Sequence, residues 1–157
     1  MRRLVIAAAG LIILAVIGLT ALYVMSRAPL VDAFDNIEAA ALQEDNVESV
    51  TGMSRFHGKA TVNIVDVTVS EGGMERLFFS GGKLVERLTQ QDIFPAEEAM
   101  NAALERAGHH KAERIRSGYE NGRALYEITL KKDGRLHYYY MSMETGDFIK
   151  RYSLSTG

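Results

Sequence analysis

The fold turns on Leu125-Tyr126-Glu127-Ile128-Thr129-Leu130-Lys131-Lys132-Asp133-Gly134-Arg135-Leu136-His137-Tyr138-Tyr139-Tyr140-Met141. Tyr126, Ile128 and Leu130 alternate with Glu127, Thr129 and Lys131, the period of two that a β-strand imposes. Lys132-Asp133-Gly134 carries the Asp-Gly signature of a tight hairpin turn, so Arg135–Met143 returns as the second strand. Glu144-Thr145-Gly146-Asp147 is the next turn and Phe148–Leu154 the third strand. A short strand around Arg114–Tyr119, closed by Asn121-Gly122, precedes them. Upstream, Ala99, Met100, Ala103, Leu104 and Ala107 recur at helical spacing. Pro95 suits the first turn, Glu97 and Glu98 the positive end of the helix dipole, and Gly108 the stop. Residues 93–154 therefore read as one helix followed by an antiparallel meander.

The same grammar occurs earlier, in residues 27–89. Phe34, Ile37, Ala41 and Leu42 form an apolar stripe on a short helix starting after Pro29. Strands follow around Ser49–Phe56, Thr61–Ser70, Met74–Ser80 and Lys83–Leu88, separated by turns at His57-Gly58, Glu71-Gly72-Gly73 and Gly81-Gly82. Gly58, Gly73 and Gly82 align with Gly122, Gly134 and Gly146, and Leu77-Phe78-Phe79 aligns with Tyr138-Tyr139-Tyr140. The order of elements agrees throughout, which makes the pair an internal repeat. Within Thr61–Ser70, Val62 and Ile64 alternate in one phase and Val65, Val67 and Val69 in the other, and a bulge near Ile64-Val65 would reconcile them. Units of about 60 residues bury little surface alone, so the two are expected to pack on each other through a linker around Thr89–Asp92. The fold class is α+β: an N-terminal transmembrane helix, then two small units, each a helix packed on an antiparallel sheet.

The chain has 157 residues, 47% of them hydrophobic, and no cysteine. Leu4–Met25 contains no Asp, Glu, Lys, Arg or His, and 22 helical residues span the roughly 30 Å core of a bilayer. Arg2 and Arg3 place residues 1–3 in the cytoplasm and the rest outside, as a single-pass protein of the cell membrane. A cleaved signal peptide is the rival reading. Its apolar core would be shorter and would end in small residues, whereas Tyr23-Val24-Met25-Ser26-Arg27 is bulky and then charged. Absence of cysteine excludes a lipid-modified cysteine anchor and disulfides. Residues 27–93 hold six basic and eleven acidic side chains and residues 94–157 ten and nine, so neither half has the basic surface that nucleic acid requires.

Pro95-Ala96-Glu97-Glu98-Ala99, Asn121-Gly122-Arg123-Ala124-Leu125-Tyr126-Glu127-Ile128 and Glu144-Thr145-Gly146-Asp147-Phe148-Ile149 together resemble a PepSY domain, over about 60 residues. The chain departs from that pattern at the helix cap, where Phe94 stands in place of Ser or Thr. A basic N-terminus, one transmembrane helix, a cystatin-like unit and a PepSY-like unit resemble the TseB-like (YpmB-type) proteins of Gram-positive bacteria. The resemblance implies a non-enzymatic, membrane-anchored protein facing the cell wall, whose partner is a penicillin-binding protein regulated during elongation. An inhibitor of an extracytoplasmic peptidase is the alternative that PepSY and cystatin-like folds imply.

No constellation for catalysis stands out. There is no cysteine nucleophile and no G-x-S-x-G elbow, and the Gly pairs at 72–73 and 81–82 lack the strand-to-helix setting of a phosphate loop. His57, His109, His110 and His137 have no metal-ligand spacing, so neither a metal nor a cofactor is expected. In the Tyr138–Tyr140 run, Tyr138 and Tyr140 share one strand face and Tyr139 takes the other with His137 and Met141. Periodicity alone does not choose the core face. The PepSY resemblance turns Tyr139 and Met141 inward, leaving Tyr138 and Tyr140 either as a partner surface, with Lys131 and Arg135 nearby, or packed against the helix or the other unit.

Overall fold

The computed structural model describes residues 13–23, 34–70 and 72–155. Of the expected anchor, residues 13–23 are helical, with Leu14, Leu19 and Leu22 about two-thirds exposed, and the remainder lies outside the described residues. Among the described residues no helix is long and apolar enough to cross a membrane. Ile37–Gly157 form one compact unit.

That unit is α+β, with two four-stranded antiparallel meanders. The first sheet has β1 (Val47–His57), β2 (Thr61–Val69), β3 (Met74–Ser80) and β4 (Lys83–Thr89) in sequential order, preceded by a short helix, α1 (residues 34–41). The second has β5 (Arg114–Glu120), β6 (Arg123–Lys132), β7 (Arg135–Ser142) and β8 (Phe148–Ser155), preceded by α2 (Ala96–Ala107). The link between them is a 3₁₀ turn, Gln90–Asp92, held by Asp92, which accepts hydrogen bonds from the Thr89 hydroxyl at 2.6 Å and the Thr89 N–H at 3.3 Å.

Both phases of β2 are buried, and that corrects the expected bulge. β2 pairs with β3 in unbroken register from Val62 to Thr68, and the irregularities lie in β1 instead, at Val47/Ser49 and Val50/Gly52. Val65, Val67 and Val69, with Leu77 and Phe79 of β3, pack on Ile37 and Ala41 of α1. Val62 and Ile64 face the other way, with Phe56, Phe78 and Leu88, into the core shared with the second sheet. A strand covered on both sides carries apolar residues in both phases. Leu42, read as part of the α1 stripe, is instead 45% exposed, because the helix ends at residue 41.

β5 is the strand of the second sheet that meets the first, and contacts come from both of its sides. On the side that α2 covers, Tyr119 packs against Phe78 at 5.5 Å between ring centroids, and the Ser117 hydroxyl accepts a hydrogen bond from Arg76 Nη1 at 2.9 Å. Arg76 is itself paired with Asp66 at 2.6 Å. On the opposite side Gly118 lies under Phe56, and a Cβ there would fall 2.8 Å from both the Phe56 ring and Leu125 Cδ1. This position requires glycine for closeness of approach rather than for its dihedral angles.

Pro95 is the N-cap of α2 and has no side-chain hydrogen bond to give, so the cap that Phe94 was expected to hold falls one residue later. Phe94 has another role. Its N–H donates to the Met143 carbonyl at 2.8 Å, its carbonyl accepts from the Tyr126 hydroxyl at 2.8 Å, and its ring fills the space over Gly146, whose φ is 74°. Burial, the main influence, pushes the Tyr126 hydroxyl pKa up.

Because the seam between the sheets is shared core, Phe78→Ala should cost about 3–5 kcal/mol and Gly118→Ala about 1–3 kcal/mol. Both are read as lowered urea midpoints. A full-sized loss in Phe78→Ala confined to part of the far-ultraviolet signal would show that the sheets unfold separately.

Candidate interaction surface on the second sheet

α2 covers the inner face of the second sheet, where Tyr126, Ile128, Leu130, Tyr139 and Met141 join Ala99 and Ala103 in the core. The outer face is built by register. Glu127 of β6 lies opposite Arg116 of β5 and Tyr140 of β7, Thr129 lies opposite Tyr138, and Tyr138 and Tyr140 lie opposite Tyr152 and Lys150 of β8.

Glu127 is only 3% exposed. A buried carboxylate needs partners for both oxygens. Arg116 donates to Oε1 through Nε at 2.7 Å and reaches it through Nη2 at 2.7 Å, while the Tyr140 hydroxyl donates to Oε2 at 2.7 Å. Burial raises the Tyr140 pKa well above its ordinary 10.0, and the hydrogen bond to Glu127 and the charges of Glu127 and Glu120 raise it further, against a lowering by Arg116. Lys150 pairs with Glu120 and hydrogen-bonds the Tyr152 hydroxyl at 3.3 Å. Burial alone would lower its pKa, but Glu120 and Tyr152 hold it above the ordinary lysine value. The Lys150 ammonium sits 4.6 Å from the Tyr140 ring centroid and 4.8 Å from that of Tyr152, and the two rings meet edge-on at 5.7 Å. These contacts fix the tyrosines before any partner arrives. Glu127, Tyr138, Tyr140, Tyr152 and Leu154 line an open depression of about 270 Å³, with Tyr152 51% and Leu154 58% exposed.

Tyr138 and Tyr140 thus lie together on the outer face, half-buried, while Tyr139 and Met141 point into the core. Lys131 is exposed on the same face, opposite Leu136. Arg135 is not brought there: it pairs with Lys132 and falls on the inner-face phase of β7. Sequence reasoning missed Glu127, Arg116, Lys150, Tyr152 and Leu154. Glu127 was recoverable, since counting outward from the Asp133-Gly134 turn sets it opposite Tyr140. Arg116 and Lys150 come from strands beyond that hairpin and carry no local signal. Of the histidines, His137 Nδ1 bonds Ser153 Oγ at 2.7 Å and His57 Nδ1 lies 3.3 Å from Thr61 Oγ1. Among the described residues no three His, Asp or Glu side chains gather as a metal site would require.

A helix laid on a four-stranded antiparallel meander, closed by the Glu144–Asp147 turn, is the form of a PepSY domain. Residues 95–152, which span α2 and most of the second sheet, match that family, the peptidase propeptide and YPEB domain. In fold the chain is similar to YpmB over three-quarters of its length. It superposes on the YpmB protein from Bacillus subtilis with a TM-score of 0.67 at 21% identity, over 76% of this chain and 96% of that one. A candidate lipoprotein of Clostridium difficile 630 gives a TM-score of 0.41 at 14% identity, over 80% of this chain and 92% of that one. No curated protein sequence matches the chain.

The outer-face network predicts an order among substitutions. Arg116→Ala leaves Glu127 buried without a counter-charge and should cost about 3 kcal/mol, whereas Tyr140→Phe removes one hydrogen bond and should cost about 1 kcal/mol. The raised Tyr140 pKa contributes stability that is complete below the ordinary tyrosine value of 10.0 and is lost as the pH climbs above it. Stability of the Tyr140→Phe variant should therefore fall less steeply above that pH in urea titrations.

Proposed function

We propose that this protein is a non-enzymatic, membrane-anchored extracytoplasmic module whose PepSY domain binds and regulates a cell-wall synthesis enzyme, a penicillin-binding protein, during elongation. Residues 4–25 would hold it in the membrane with residues 1–3 inside and the two sheets outside. The observation that carries the reading is the outer face of the second sheet. Tyr140, held by Glu127 and Lys150, and Tyr152, held by Lys150, form with Tyr138 an aromatic patch on a buried polar foundation, with Tyr152 open to solvent. Tyrosines held in this way add contact area to an interface at little entropic cost. Nothing in the patch has the form of a reacting centre: its one buried carboxylate is engaged through both oxygens.

The alternative follows from the first half of the PepSY family's description, peptidase propeptide. An inhibitor would block a purified peptidase at one-to-one stoichiometry, while a regulator would be captured with a synthase and alter cell shape.

Crosslinking in intact cells, followed by capture of the full chain through a C-terminal tag, separates the two. Enrichment of a penicillin-binding protein should survive replacement of residues 4–25 by an unrelated anchor. It should fall about tenfold in the Tyr138→Ala, Tyr152→Ala double variant, a loss equivalent to about 1.4 kcal/mol. Undiminished capture in a folded double variant would remove the tyrosine face from the account, and enrichment of a peptidase would favour inhibition.

A further inference from the structure

The inner face of the second sheet runs past the helix that covers it. α2 stops at Gly108, which takes the left-handed conformation at φ 58°. Beyond that stop the inner-face positions change character. Under the helix they are Tyr126, Ile128 and Met141, and past it they are Lys132 on β6, His137 on β7 and Arg151 on β8. With Tyr139 and Asp133 these residues line a cavity of about 170 Å³.

The hydrogen-bonding capacity of that cavity is one-sided. Lys132 Nζ donates to the Ala107 carbonyl at the end of α2, at 3.1 Å, and has two further protons. Arg151 Nη1 donates to the Tyr139 hydroxyl at 3.4 Å and its guanidinium carbon lies 5.9 Å from the Tyr139 ring centroid, contacts that use neither the hydroxyl proton nor the remaining guanidinium protons. His137 uses Nδ1 on Ser153 and keeps Nε2. Against these donors stands one carboxylate, Asp133, and it forms no ion pair with Lys132 or Arg151. Arg135 adds a further charge on the same face opposite Lys132. Asp133 is the one negative acceptor in the lining, so donors and positive charge remain in surplus, an excess that a bound anion would balance.

We propose that this cavity binds an oxyanion of phosphate type, with Arg151 and Lys132 as its charged donors, the Tyr139 hydroxyl as a neutral donor and His137 at the rim. The arrangement suits a tetrahedral anion because its donors come from three adjacent strands and converge from different directions. The site lies on the face of the sheet opposite the tyrosine patch, so it is independent of the partner reading above.

The test is a titration of the isotopically labelled full chain in zwitterionic micelles with inorganic phosphate, against chloride at matched ionic strength. Saturable amide shifts should appear at Lys132, His137, Tyr139 and Arg151 with phosphate alone. Affinity should fall about tenfold in Arg151→Gln, a substitution at an exposed position that leaves the helix end untouched. A second arm adds phosphatidylglycerol to zwitterionic vesicles. Saturation there but not with inorganic phosphate would assign the same site to a lipid headgroup. Equal shifts with chloride, no shifts with either source, or unchanged affinity in both Arg151→Gln and Lys132→Gln would overturn the proposal.

Discussion

One helix covers one face of a sheet, and a sheet has two. Everything else in the compact unit follows from how the second faces are covered. In the first sheet α1 takes the Val65, Val67, Leu77 and Phe79 side, which leaves Phe56, Val62, Ile64 and Phe78 in need of a partner. The partner is the β5 edge of the second sheet, together with Leu125 and the core beneath α2. A unit of about 60 residues with one apolar face exposed would be marginal. Shared burial removes that exposure, and it also protects β5, a strand edge that would otherwise offer unpaired backbone groups.

The second sheet solves its own second face differently. The first sheet covers it near Arg116, Gly118 and Leu125, where Phe56 reaches across. Further along, the outer face is covered by its own side chains. Glu127 is sunk beneath Tyr140 and Arg116, Lys150 spans the Tyr140 and Tyr152 rings, and Thr129 Oγ1 lies buried beside them with no hydrogen-bond partner among the described residues. A buried ionic network is a poor source of stability compared with apolar packing, yet it holds large aromatic residues in place on a face that stays accessible. That trade is the one the proposed partner surface requires.

The elements of both sheets were readable because turns and alternation are local. Asp133-Gly134 sets the β6–β7 register, Gly108 stops α2, and the repeat of Gly58, Gly73 and Gly82 at Gly122, Gly134 and Gly146 exposes two meanders. What alternation does not carry is the number of covered faces. The two phases of β2 were read as a shift in register, when each phase points at a different neighbour. Glu127 shows the converse limit. Its position in an apolar-polar alternation reads as solvent-facing; the hairpin count sets it opposite Tyr140, and only the third strand supplies the Arg116 that closes over it. Arg135 fails for a simpler reason: closeness in sequence to Tyr138 does not put it on the same side of a pleated strand.

The alternation along β7 also separates chemistry. Tyr138 and Tyr140 point to the aromatic outer face, while His137 and Tyr139 point to the helix side, where the sheet outruns α2 and cations gather around Arg151 and Lys132. One strand thereby serves two surfaces of different character, with only the thickness of the sheet between them. Their side chains have different partners, Glu127 and Lys150 on one side and Arg151 and Ser153 on the other. Distant side chains without shared partners contribute nearly independently, whereas neighbours along one strand can couple through its backbone. An anion held under the end of α2 and a protein held against the tyrosines could therefore be bound at once, with coupling between them only through movement of β7 itself.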